Sequence, residues 1–104
     1  MFLASVVVDF REAERIPPGM LADAFMAERE IVTVKVPGEG ASAQFRADVA
    51  AETREAAHVH ALALAARVGA FVGLEPRVVE VKLQTERERL RALEGAAGYG
   101  PFAH

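Results

Sequence analysis

From Phe2 to Phe10 the chain alternates, with Phe2, Ala4, Val6, Val8 and Phe10 on one face and Leu3, Ser5, Val7 and Asp9 on the other. A period of two, rich in β-branched residues, predicts a half-buried strand. Charged residues fill 11–15, and Pro17-Pro18-Gly19 then offers a helix start, because proline suits the first helical position. Met20, Leu21, Ala24, Phe25 and Ala27 make the apolar stripe of a short helix that ends near Glu28. Residues 31–36 predict a second strand, with Val32, Val34 and Val36 on one face and Ile31, Thr33 and Lys35 on the other. Pro37-Gly38-Glu39-Gly40 is a turn sequence. Ala41, Ala43, Phe45 and Ala47 alternate with Ser42, Gln44 and Arg46, which predicts a third strand closing a hairpin. Alanine is a poor strand former, so the alternative for residues 41–47 is an early start of the next helix.

That helix is expected from about 49 to 73, capped by Asp48 and ended by Leu74-Glu75-Pro76. Residues 77–84 read as the last strand, with Val79, Val81 and Leu83 inward and Val78, Glu80, Lys82 and Gln84 outward. Residues 85–94 read as a helix supported by the three-apart pairs Glu86/Arg89 and Glu88/Arg91, with Gly95 as its stop. A tail over 98–104 carries Tyr99 and Phe102. The order strand, helix, strand, strand, helix, strand predicts an α+β, ferredoxin-like βαββαβ domain. Its sheet is expected to be antiparallel with helices on one face, followed by a short C-terminal helix and tail. Residues 1–84 form the expected core of this single domain and 85–104 the appendage.

The composition sharpens that picture. A chain of 104 residues and 11.2 kDa is one domain's worth. Alanine supplies 21 residues, so much of the 52% apolar content is small, and a thin core gains from a partner subunit. Leu3, Val7, Ile31 and Val78 are expected on the open face of the sheet, where apolar residues mark an association surface. The second half of the long helix has no polar stripe, which predicts burial all round. Ala61, Ala65, Gly69 and Gly73 recur every four residues, a spacing that permits close packing on the chain's own sheet or on another backbone. A homodimer or higher homo-oligomer is therefore expected, with Val7, Ile31, Leu62, Val78, Tyr99 and Phe102 at its interfaces and the tail as a possible docking element for another protein.

Charge and cysteine content exclude several classes. The net charge is −3, and 12 basic residues are interleaved with 15 acidic ones, which disfavours nucleic acid and a polybasic membrane contact. With no cysteine there is no disulfide, thiolate catalysis or cysteine-type metal site, and a reducing cytoplasm is the expected location. The N-terminus lacks the basic region of a signal peptide, and the apolar run 61–74 is short and holds Arg67, so no membrane span is expected.

Candidate chemistry is sparse. Glu55 and His58 share a helix face, but one Glu-x-x-His copy lacks the further carboxylates of a metal bundle. His58 and His60 point about 200° apart on a helix and cannot share one ion, so neither metal nor cofactor is expected. His60 is read on the sheet-facing side, with Arg67 two turns on. There it is either a satisfied core or interface histidine or a general acid/base. Arg67 either anchors an anion or pairs with Asp9 or a glutamate, since buried charges are normally compensated. Asp9 is either such a partner or a catalytic carboxylate. Phosphate-loop, hydrolase and calcium-loop motifs are missing.

The opening, residues 1–9 followed by Ile16-Pro17-Pro18-Gly19-Met20 and Glu28-Arg29-Glu30, resembles the start of the muconolactone isomerases. The resemblance implies a small ferredoxin-like oligomer. It covers under a third of the chain, does not extend into the alanine-rich helix, and carries over no catalytic residue. Two functions follow from the residues. The first is a homo-oligomeric domain for assembly or partner binding without catalysis. The second is a cofactor-free enzyme or metabolite binder of dimeric α+β barrel type, with a pocket between sheet and helices near His60 and Arg67.

Overall fold

The computed structural model describes residues 1–36 and 42–91. The fold is α+β: a four-stranded antiparallel sheet with helices. Strand β1 spans Phe2–Phe10. A short 3-10 turn over Ala13–Arg15 leads to helix α1, Pro18–Met26, and then to β2, Ile31–Lys35. Strand β3 is Ala43–Val49, helix α2 is Arg54–Val72, and β4 is Pro76–Thr85. Residues 86–91 are helical, with the Thr85 hydroxyl oxygen accepting from the Glu88 amide at 3.0 Å. The turn at 37–40 and the segment 92–104, with Gly95, Tyr99 and Phe102, lie outside the described residues.

The sheet order is β2-β3-β1-β4, so the first strand is central and pairs antiparallel with β3 on one side and β4 on the other. Its burial alternates residue by residue, which puts Phe2, Ala4, Val6, Val8 and Phe10 under the helices. Seven alanines sit among the buried apolar residues: 4, 24, 43, 47, 57, 61 and 65. They let α2 lie close to the strands, because a methyl group holds two backbones apart less than a longer side chain does. Bulk comes instead from phenylalanine. Phe25 of α1 meets Phe10 edge-on at 5.8 Å and Phe45 at 5.3 Å between ring centroids.

The third strand expected over 41–47 is found as β3, which is paired along both edges and buries Ala43, Phe45, Ala47 and Val49, so this stretch does not begin the next helix. Two neighbouring strands outweigh alanine's weak local preference. Helix α2 therefore starts later, capped by Thr53, whose hydroxyl oxygen accepts from the Ala56 amide at 3.1 Å, and not by Asp48. Two register irregularities also break the assumed alternation. One lies between Ile31 and Thr33, so Ile31 joins the core at 5% exposure, while Val32 is exposed and Val34 packs against the core. The other sets Val8 opposite Val78 but Val7 opposite Glu80. The extra residue, Val79, is 57% exposed, while Val78 packs inward with Val81 and Leu83. A bulge of this kind reverses the facing of every residue beyond it.

Candidate functional site

Helix α2 is the element on which the expected site residues meet. Its sheet-facing stripe is Ala57, Ala61, Leu64, Ala65, Val68 and Gly69. One residue's advance turns a helix by about 100°, so His60 stands on the flank of that stripe rather than in it. The small-residue spacing is absorbed internally, since the backbone of Gly69 is closed over by Leu74 and Pro76. Gly73, with φ of 72°, takes the left-handed position that ends the helix.

The flank carries an ion cluster. Arg67 donates to both carboxylate oxygens of Glu28, from Nε at 3.2 Å and from Nη2 at 2.9 Å, and Nη2 lies 3.5 Å from Glu30. His60 Nε2 is 3.9 Å from the same Glu30, is shielded from solvent, and has no hydrogen-bond partner among the described residues. Glu28 and Glu30 belong to the connection between α1 and β2, so the cluster ties α2 to that connection. The hydrogen bond to Glu28, reinforced by its charge and that of Glu30 and opposed by desolvation, raises the Arg67 pKa above the usual arginine range. A raised cation pKa gives stability that is present at every pH below that range, so Arg67 stays charged under all ordinary conditions. Its guanidinium is engaged by glutamates, which is the pairing alternative of the sequence reading.

Asp9 is not part of this cluster. It shares the half-buried alternation of Leu3, Ser5 and Val7, on the face turned away from α2, and accepts a hydrogen bond from the Ser42 hydroxyl. It lines a depression of about 450 Å³ with Arg11, Glu75 and Arg77 at the end of β1. The structure thus brings His60 and Arg67 near each other, joins them to Glu28 and Glu30, and leaves Asp9 across the sheet. Among the described residues no group of three or more histidine, aspartate or glutamate side chains is arranged to hold a metal.

The outward side of α2 departs most from an ordinary surface helix. Between Val59 and Phe71 seven residues are exposed: Val59, Leu62, Ala63, Ala66, Arg67, Ala70 and Phe71. Only Arg67 is polar. Val59 is 65% and Phe71 74% exposed, so the expected all-round burial does not occur within one chain. The apolar character of this half of the helix was legible; which side would stay uncovered was not.

The open face of the sheet supplies a second concave region, which sequence reasoning missed. A depression of about 490 Å³ lies over β2, β3, β1 and β4, with Thr33, Arg46, Ser5 and Lys82 among its lining residues. The signal was present in the outward parity of Arg46 and Lys82, but it becomes readable only when β3 is known to be a strand.

No protein-family model matches the chain, and no curated protein or solved structure matches it. No described helix is long and apolar enough to cross a membrane.

Proposed function

We propose that this chain is a ferredoxin-like domain that acts in assembly, pairing with a second copy of itself through the outward side of α2 and carrying out no catalysis. Support for the fold reading comes from the element order β-α-β-β-α-β and from a central first strand flanked antiparallel by the third and fourth. The observation that carries the assembly reading is the uncharged run of Val59, Leu62, Ala63, Ala66 and Ala70 on a helix whose opposite side already fills the core. A helix apolar on both sides is energetically at home only when both are covered.

A second copy is the occupant that suits this strip. Larger side chains, Val59 and Leu62, stand at its N-terminal end, alanines 63, 66 and 70 follow, and Phe71 flanks the last of them. Two such helices crossing antiparallel set the large residues of each against the small ones of the other, as ridges enter grooves. A two-fold interface of this kind is self-complementary.

Sedimentation velocity on the whole chain tests the reading. The expected mass is twice the 11.2 kDa chain, and Leu62→Glu is expected to return it to one chain. A monomer at millimolar concentration, where even weak pairs form, overturns the proposal. Circular dichroism of the variant guards against misfolding, which is not expected because Leu62 is already exposed.

A further inference from the structure

The depression on the open sheet face is built from two rows of side chains that the strand register sets directly opposite one another. In one row stand Thr33 of β2, Arg46 of β3, Ser5 of β1 and Lys82 of β4. In the next stand Lys35, Gln44, Val7 and Glu80. All eight line the same depression of about 490 Å³, a volume in the range of small-molecule sites. Neighbouring strands lie about 4.8 Å apart, so the hydroxyl of Ser5 sits between two long cationic side chains, one on each side.

The charges are unbalanced. Lys35, Arg46 and Lys82 face one carboxylate, Glu80. Arg46 has no ion-pair or hydrogen-bond partner among the described residues. Lys82 is paired with Glu80 at 3.4 Å, but this pair is solvent-exposed, and such pairs are weak enough to yield to a better acceptor. A guanidinium fork without a carboxylate matches two oxygens of one oxyanion, and hydroxyl donors on either side complete its coordination.

We propose that the Thr33–Arg46–Ser5–Lys82 row binds the carboxylate or phosphate group of a small metabolite. Arg46 grips two oxygens, Lys82 supplies the second positive charge, Ser5 and Thr33 donate hydrogen bonds, and Val7 offers an apolar shelf to the rest of the molecule. The ligand is small because the positive region is short: Asp48, opposite Leu3, and Asp9 lie on the same strands beyond the two rows. A polyanion tracking along β1 would run onto these carboxylates, whereas a single oxyanion would not. The site lies on the sheet and the assembly strip on the far side of α2, so neither depends on the other.

A ¹H–¹⁵N titration of the whole chain at low ionic strength tests this, with inorganic phosphate and succinate as separate probes. The expected result is a saturable set of shifts centred on residues 5, 33, 46 and 82. Saturation by phosphate alone assigns a phosphate-bearing ligand, and by succinate alone a carboxylate. Apparent affinity is expected to fall at least about tenfold in Arg46→Ala, the loss of one charge-assisted bidentate contact, and to stay unchanged in Arg87→Ala, an exposed arginine outside the depression. Shifts that never saturate, that scatter over all basic residues, or that persist in Arg46→Ala overturn the proposal. Leu62→Glu is expected to keep the anion response while losing assembly, which separates failure of one idea from failure of the other.

Discussion

A β-carbon built on Gly69 would lie 2.6 Å from the carbonyl oxygen of Leu74 and 2.9 Å from Cδ of Pro76. Neither neighbour is the free end of a flexible side chain. The first is backbone that also accepts no slack, since the Leu74 amide bonds the Gly69 carbonyl at 2.8 Å. Gly69→Ala gains about 1 kcal/mol of helix propensity and forces an overpacking cost of about 1–3 kcal/mol. A net loss of up to roughly 2 kcal/mol in urea denaturation is expected; a variant more stable than the parent would show that the corner between α2 and β4 can move. Gly73→Ala is expected to lose a similar amount, about 1–2 kcal/mol, for a different reason. Space is free around it, but its φ of 72° is costly for any residue with a β-carbon.

The Arg67–Glu28 contact belongs with these single-residue effects. Its geometry is bidentate, yet the Arg67 side chain is half exposed, so water screens the attraction. A double-mutant cycle with Arg67→Met and Glu28→Gln is expected to give a coupling of about 0.2–1 kcal/mol that shrinks with added salt. A coupling several times larger and indifferent to salt would place the pair in a much drier setting.

Among the elements, α2 depends on its first turn. Thr53 caps it, and Arg54 reaches across to the appended helix and the last strand. Arg54 donates from Nη1 to the Leu83 carbonyl at 3.1 Å, pairs with Glu88, and lies 5.7 Å over the Phe2 ring. Thr53→Ala is expected to cost about 1 kcal/mol through the lost cap. Arg54→Ala is expected to cost more, about 2 kcal/mol, by freeing residues 86–91 from β4, since a hydrogen bond to a charged donor and a cation over a ring are each worth about 1 kcal/mol. Faster amide exchange at 86–91 in Arg54→Ala, with the sheet amides unchanged, checks the attribution. Neither role is visible in the sequence. Arg54 is one arginine among several in a stretch that reads simply as helix, and its three partners come from residues 2, 83 and 88.

The contrast with the legible parts is physical. The alternation of β1 survives intact because the extra residue in its pairing with β4 belongs to β4, and burial follows β1 residue by residue. The edge strands β2 and β4 each contain a register shift, and a bulge leaves no mark on a hydrophobic pattern. That is why Ile31 and Val78 stand on the core side although alternation placed them outside. Helix faces suffer a related loss. Composition showed α2 to be apolar, but the partition between its buried stripe and its bare strip depends on where the sheet lies. The buried stripe runs through Ala57, Ala61 and Leu64, one flank away from the side of His60 and Arg67 that the pattern pointed to.

In the molecule as a whole, alanine supplies seven of the eighteen buried apolar residues among those described, while larger side chains stand in water. Ala57, Ala61 and Ala65 are fully buried, whereas Val59 and Phe71 remain mostly exposed on the same helix. Each buried apolar side chain stabilises by about 0.8 kcal/mol per CH₂, so a core short of methylenes leaves little reserve, and covering the strip would add what the single chain lacks. If the folded form is a pair, its stability must depend on concentration, because unfolding releases two chains. Each tenfold increase in protein then stabilises the pair by about 1.4 kcal/mol. Urea midpoints of the parent chain are accordingly expected to rise across a hundredfold range of concentration. Leu62→Glu is expected to give a lower midpoint that no longer depends on concentration. Val79→Glu, an exposed apolar position on the edge strand β4 rather than on α2, is expected to keep the dependence. A parent chain whose midpoint stays fixed over the same range would mean that Val59, Leu62 and the alanines face water in a stable monomer, and pairing through α2 would have to be given up.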